Sequence, residues 1–274
     1  MRRLWRRIRA RWLARLGDAE RGAGLYDAAE RLVQKALSLA DAAHEHDDMF
    51  VAALLNSLGM IQKFQGRFDE GARVYLRGLR IARRGLGRDH VAVAAFYHNI
   101  GGIEHARGRY SRGAVFARRA IEIRERALGP SHPDTARDIG APACLLDGMA
   151  RYPEAESLHR RALAILEHRL GAVHSDVAYV VENLAACLHA QGRTTEAEPL
   201  ARRAVAVKEK ALGPGHPDVG TALSNLAVIL KSRGRASEAR AYLGRALAIL
   251  ETSLAPSHPS TVTCRGDLES LRGL

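Results

Sequence analysis

The stretch LGPSHPD at residues 128–134 sets a histidine, a proline and an aspartate between two apolar patterns. Its histidine returns at positions 90, 132, 174, 216 and 258, within RGLGRDHV, RALGPSHPD, HRLGAVHSD, KALGPGHPD and TSLAPSHPS, at an interval of 42 residues each time. A second marker keeps the same period: GRFDEGA from 66, GRYSRGA from 108, ARYPEA from 150, GRTTEA from 192 and GRASEA from 234, with a weaker GLYDAA from 24. Self-similarity at such a period is the signature of a repeat architecture, and six units are visible.

His132 beside Asp134 has the makings of a proton relay. Its repetition argues against that reading. Equivalent positions of successive helical units lie at least one helix-packing distance apart, about 8–10 Å per layer, so the five histidines cannot converge on one reacting centre. Pro133-Asp134, Ser175-Asp176, Pro217-Asp218 and Pro259-Ser260 also match helix-entry chemistry. The motif reads as a joint between helices, and no catalytic residue is assigned.

Within a unit, LSNLAVILKSRG (223–234) shows apolar residues at helical spacing and closes on Gly234, suited to a left-handed helix end. SEARAYLGRALAILETSL follows from 237, with Ala239, Leu243, Ala246, Leu247 and Ile249 among its small and apolar positions. Neither helix buries its apolar face alone, so neighbouring units must supply the core. The segments N-L-A at 183–185, G-R-x-x-E-A at 192–197, R-A-V at 203–205 and L-G-x-x-H-P-D at 212–218 resemble the tetratricopeptide repeat, in the 42-residue form of kinesin light chains. The likeness spans roughly residues 8–274. It implies an all-α, right-handed superhelical solenoid of about six antiparallel helix pairs plus a C-terminal capping helix. The units fall near 8–49, 50–91, 92–133, 134–175, 176–217 and 218–259, with a cap at 260–274 and a basic extension at 1–7. One unit departs from the pattern: DIGAPACLLDG (138–148) carries Pro142 where its neighbours have leucine. A proline inside a helix costs about 3 kcal/mol, so a bent or late-starting helix is expected there.

With 47% hydrophobic and 26% charged residues the chain is too apolar for a disordered protein. It has neither a bilayer-length apolar run nor a secretory signal pattern, which predicts a cytoplasmic protein. Cys144, Cys187 and Cys264 are widely spaced and suggest small buried thiols rather than disulfides or a zinc site. HEHDD offers His44, His46, Asp47 and Asp48 as metal ligands, but a polar linker predicts the same composition and no second ligand cluster accompanies it. No nucleotide-binding, zinc-protease or nucleophile-elbow motif appears. The expectation is a non-enzymatic chain without cofactor or metal.

The resemblance places the binding groove along the first helix of each unit. Nine residues before the turn, the slot holds Ser57, Asn99, Ala141, Asn183 and Asn225; three before it, Lys63, His105, Asp147, His189 and Lys231. Asn56, His98, Glu182, Ser224, Arg137 and Tyr179 fall near the same face. Amides can pair with a peptide backbone through donor and acceptor together, while Lys63 and Lys231, with partly charged His105 and His189, select carboxylates. Kinesin light chains bind acidic peptides containing tryptophan, so the likeness implies an extended, acidic peptide or partner tail as ligand, held by Asn56, Lys63, His98, Asn99, His105, Arg137, Tyr179, Asn183, His189, Asn225 and Lys231.

Half of the net charge of +12 is local. Residues 1–22 carry eight arginines against Asp18 and Glu20, together with both tryptophans. Trp5, Ile8, Trp12 and Leu16 recur at helical spacing among arginines, a pattern suited to an anionic membrane surface or nucleic acid, with Arg2, Arg3, Trp5, Arg6, Arg7, Arg9 and Trp12 as contacts. Residues from about 8 onward also align with the first helix of the first repeat. Packing of that stripe on the next helix is therefore the favoured reading.

Overall fold

A computed structural model describes residues 2–42 and 48–271, and the side chains of 4–41 and 49–271. These residues form thirteen helices, in six antiparallel pairs followed by a single C-terminal helix. Two compact units divide at Ala127 and Leu128. The first contains α1 (Arg2–Gly22), α2 (Tyr26–Ala42), α3 (Asp48–Phe64), α4 (Phe68–Leu86), α5 (Val91–Ala106) and α6 (Tyr110–Leu128). The second contains α7 (Pro133–Gly148), α8 (Tyr152–Leu170), α9 (Ser175–Ala190), α10 (Thr194–Leu212), α11 (Pro217–Ser232), α12 (Ala236–Ser253) and α13 (Pro259–Glu269). The first helices of successive pairs touch one another, as α1, α3 and α5 in one unit and α7, α9, α11 and α13 in the other. That layer is what positions the groove residues.

Each helix pair turns on the residue that begins the second marker. Gly24, Gly66, Gly108, Gly192 and Gly234 adopt φ between +69° and +79°, the left-handed region that ends a helix without steric cost only for glycine. Ala150 fills the same slot at φ +57°. An L-residue with a Cβ carries a strain of about 1–2 kcal/mol there.

The recurrent histidine is itself the helix start. His90, His132, His174, His216 and His258 precede α5, α7, α9, α11 and α13 in extended backbone, and each Nδ1 accepts the backbone N–H two residues on at 3.1 Å. Imidazole thus does the work usually given to serine or aspartate at an N-cap. The joint foreseen from the sequence is present, though its proline and aspartate are accessories to the histidine. His216 is the most buried of the five. Changing His216 to alanine should cost about 1 kcal/mol in chemical denaturation, and changing it to asparagine much less.

The arginine of the G-R turn has a second job. Arg67 binds Glu70 within its own pair and reaches back to Glu30 of α2 at 2.6 Å; Arg193 does the same with Glu196 and Glu156, and Arg235 with Glu238 and Glu198. Glu198 also receives Arg202 and Arg233. Burial works against its charge, yet Arg202 and Arg235 hold it below the usual carboxylate range. Arg151 meets Glu154 but the preceding slot is Ala114.

The late start expected from Pro142 does not occur. Helix α7 begins at Pro133 and has 16 residues, as α5, α9 and α11 do. Packing on α8 and α9 holds a segment that propensity alone would break. A second interior proline, Pro199 in α10, was not anticipated.

The cores follow the small-large alternation of the repeat. In the first unit Tyr75 and Phe96 are buried with Leu79, Ile100 and Ile103. Their rings lie where side chains at Gly59 and Gly78 would be, since a methyl at Gly78 would sit 2.4 Å from the Phe96 ring. In the second unit Leu184, Leu188, Leu223, Leu226, Leu230, Leu243 and Leu250 form the corresponding interior. Cys187 and Cys264 are buried and Cys144 is half-buried, all three unbridged. Burial pushes the Cys187 thiol up to about 12, so it is an unreactive core group.

Candidate peptide groove

The predicted groove residues do lie on the first helices, and what surrounds them differs between the two units. In the first unit, Asn99 of α5 donates its amide to Asn56 Oδ1 of α3 at 2.8 Å. This pair uses one donor and one acceptor, so each side chain retains its complementary group for other uses. Ser57 is tied to α1 through Asp18 at 2.9 Å. Lys63 is half-buried and passes over Gly102, where a methyl group would meet Nζ at 3.0 Å. His105 is half-buried with its ring 5.5 Å from that of Tyr110, and His98 is half-buried on the same helix.

In the second unit the expected groove residues Tyr179 and Asn225 join a network centred on a residue that is not among them. Lys208, on α10, sits in the slot that Ala82, Leu166 and Leu250 fill in other repeats, all of them fully buried. It is equally buried, at 1% exposure. Its ammonium pairs with Glu182 of α9, approaches the carbonyl of Asp218 at 3.5 Å and lies 4.3 Å from the centre of the Tyr179 ring. Asn225 of α11 donates to the other oxygen of Glu182 at 2.9 Å, and the Tyr179 hydroxyl donates to the Asp218 carboxylate. Lysine, glutamate, asparagine, tyrosine and aspartate therefore form one connected network across α9, α10 and α11. A lysine in a slot that four of the six repeats fill with alanine or leucine, and one with Arg124, was the legible signal for it.

A narrow cleft between α9 and α11 opens beside this network, with Glu182, Asn225 and His189 as its polar lining against Ala185, Ala222 and Val228. Burial lowers the pKa of His189, whose Nδ1 is buried without a hydrogen-bond partner. Burial thus favours the neutral imidazole at His189 over the partly charged form expected from the sequence. Asn183 is half-buried and Lys231 is exposed, its ammonium donating to Ser270 at 2.8 Å. Arg137 is exposed but paired with Asp134 and, at 3.0 Å, with Asp176. Asp147 is taken by the fully buried His159 at 2.8 Å, and Ala141 offers no polar group. The second-unit groove is consequently less basic than its composition suggests.

Of the HEHDD ligands, His44, His46 and Asp47 lie outside the described residues, as does the side chain of Asp48. Among the described residues no group of three or more metal-binding side chains comes together. None of the described helices is long and apolar enough to cross a membrane.

A profile of the tetratricopeptide repeat matches residues 8–84, 50–112, 92–168 and 176–252. No curated protein sequence matches the chain. Among solved structures, NprR in complex with its cognate peptide NprX is similar with a TM-score of 0.70 and 14% identity over 98% of this chain and 71% of that one. BtubC (BKLC) from P. vanneervenii gives 0.60 and 20% identity over 83% and 91%. A kinesin light chain-type protein of Podosopora anserina with nearly identical TPR-like repeats gives 0.54 and 22% over 76% and 98%. At these identities the likenesses speak to fold.

Proposed function

Because the chain belongs to the tetratricopeptide repeat family, we propose that it is a non-enzymatic protein-interaction scaffold whose first-helix layer binds an extended peptide, with acidic side chains preferred. The observation that carries this reading is an amide in the same repeat slot of three first helices, Asn99 in one unit and Asn183 and Asn225 in the other, with Asn56 one residue off that slot on α3. A peptide in extended form presents a donor and an acceptor at each residue, which matches an amide slot in chemistry. Lys63 and Lys231 supply the preference for carboxylates, while neutral His189 serves as a hydrogen-bonding group. NprR, similar in fold, has a peptide partner, which supports a peptide over a folded surface as ligand.

Peptides selected by display against the whole chain should be enriched in Asp and Glu. The Lys63→Glu, Lys231→Glu double variant should bind them at least about tenfold more weakly by fluorescence anisotropy, a loss of roughly 1.4 kcal/mol. Equal affinity in the variant would remove the lysines from the site.

A further inference from the structure

Helix α1 carries two apolar faces, and the structure separates them. Ala10 and Leu13 are buried, and Gly17 lets α1 approach α2 so closely that a methyl group there would lie 2.8 Å from Val33 Cγ2. This small-residue face is the one that packs. Leu4, Trp5, Ile8 and Trp12 point elsewhere and are 53–70% exposed. The reading in which Trp5, Ile8 and Trp12 pack on the next helix is overturned; Leu16, at the margin, is half-buried.

At 3.6 residues per turn, Leu4, Trp5, Ile8 and Trp12 fall within an arc of about 100°. Arg9 borders that arc on one side and Arg11 on the other, and Arg15 follows Trp12 by three residues; all three are exposed. No acidic residue occurs before Asp18. The side chains of Arg2 and Arg3 lie outside the described residues.

We propose that this face of α1 is a docking site for an anionic membrane surface. Four large apolar side chains in a flat stripe would enter the boundary between headgroups and acyl chains, where indole rings are favoured because one edge is apolar and the other donates a hydrogen bond. The Arg9 and Arg15 guanidinium groups would reach lipid phosphates while their aliphatic stems stay with the stripe, whereas Arg11 lies over the Phe50 ring of α3 at 5.6 Å. Charge complementarity selects anionic lipid, and the exposed apolar area selects lipid over a nucleic acid backbone, which offers phosphates but no apolar phase. The packing of Ala10, Leu13 and Gly17 on α2 holds the stripe outward before binding, so the helix need not order itself on the membrane.

Trp5 and Trp12 are the only tryptophans, so the emission of the intact protein reports on this face alone. Adding phosphatidylglycerol vesicles should shift the emission to the blue and carry the protein down with the vesicles, while phosphatidylcholine vesicles should do neither. The Arg9→Gln, Arg15→Gln variant should partition about thirtyfold less well, about one and a half decades for the two charges removed. Leu4→Ser, Ile8→Ser, which keeps both reporters, should lose the blue shift with no change in helical circular dichroism or melting temperature. The proposal is overturned by no response to phosphatidylglycerol, by an equal response to phosphatidylcholine, by binding to duplex DNA in preference to vesicles, or by a shift that depends only on protein concentration, which would assign the stripe to a second copy of the chain. The groove residues named above lie on other helices, α3, α5, α7, α9 and α11, so the Leu4→Ser, Ile8→Ser variant leaves them unchanged.

Discussion

Replacing Glu182 with alanine should lower the stability of the protein by about 3–5 kcal/mol, because it leaves the Lys208 ammonium buried without its counter-charge. The remaining partners, the Tyr179 ring and the Asp218 carbonyl, do not replace a carboxylate. Lys208→Met should cost less, since Glu182 keeps the Asn225 amide and stands nearer the cleft. Changing both, Lys208→Met with Glu182→Leu, should recover most of the loss, as buried ion pairs replaced by apolar residues of similar size commonly do. Urea denaturation of the four proteins decides the matter. If Glu182→Ala were as mild as a surface substitution, Lys208 would have to reach solvent in the absence of its partner, and the network would not organise the groove.

The opposite sign is expected at Pro142. Pro142→Leu should raise the unfolding free energy by up to about 3 kcal/mol, through the restored N–H of the helix interior and the removal of the ring from the preceding turn. Leucine or isoleucine fills this slot elsewhere, as Leu58, Ile100, Leu184 and Leu226, all buried. A helix already of full length needs no rearrangement to accept it. A lower denaturation midpoint would show that α8 and α9 are fitted to the proline.

The period was enough to place the helix starts and turns, because glycine at the turn and the H-P-D loop each answer a local backbone requirement. Slot assignments on the first helices also followed from it. What escaped was whatever depends on a partner from another repeat. Lys208 and Glu182 are 26 residues apart in sequence, and neither alone betrays the pair, although a lysine in the slot of Leu166 and Leu250 was a visible anomaly. His189 looked like a cation because sequence does not report burial. On α1 the large residues Trp5, Ile8 and Trp12 drew the packing reading, yet helices that approach as closely as α1 and α2 are joined by small residues, and Ala10 and Gly17 were the relevant ones.

The arginines of the G-R turns have a bearing on how the second unit comes apart. In a linear array each repeat feels only its neighbours, so the sharpness of melting depends on how much free energy lies across borders rather than inside repeats. Arg193 to Glu156 and Arg235 to Glu198 put charge attraction across those borders. Such contacts act as couplings between adjacent segments, and because they are partly exposed they are weakened by salt more than the apolar interiors are. Ionic strength would therefore tune cooperativity separately from stability, letting neighbouring helix pairs open more independently as the couplings fade.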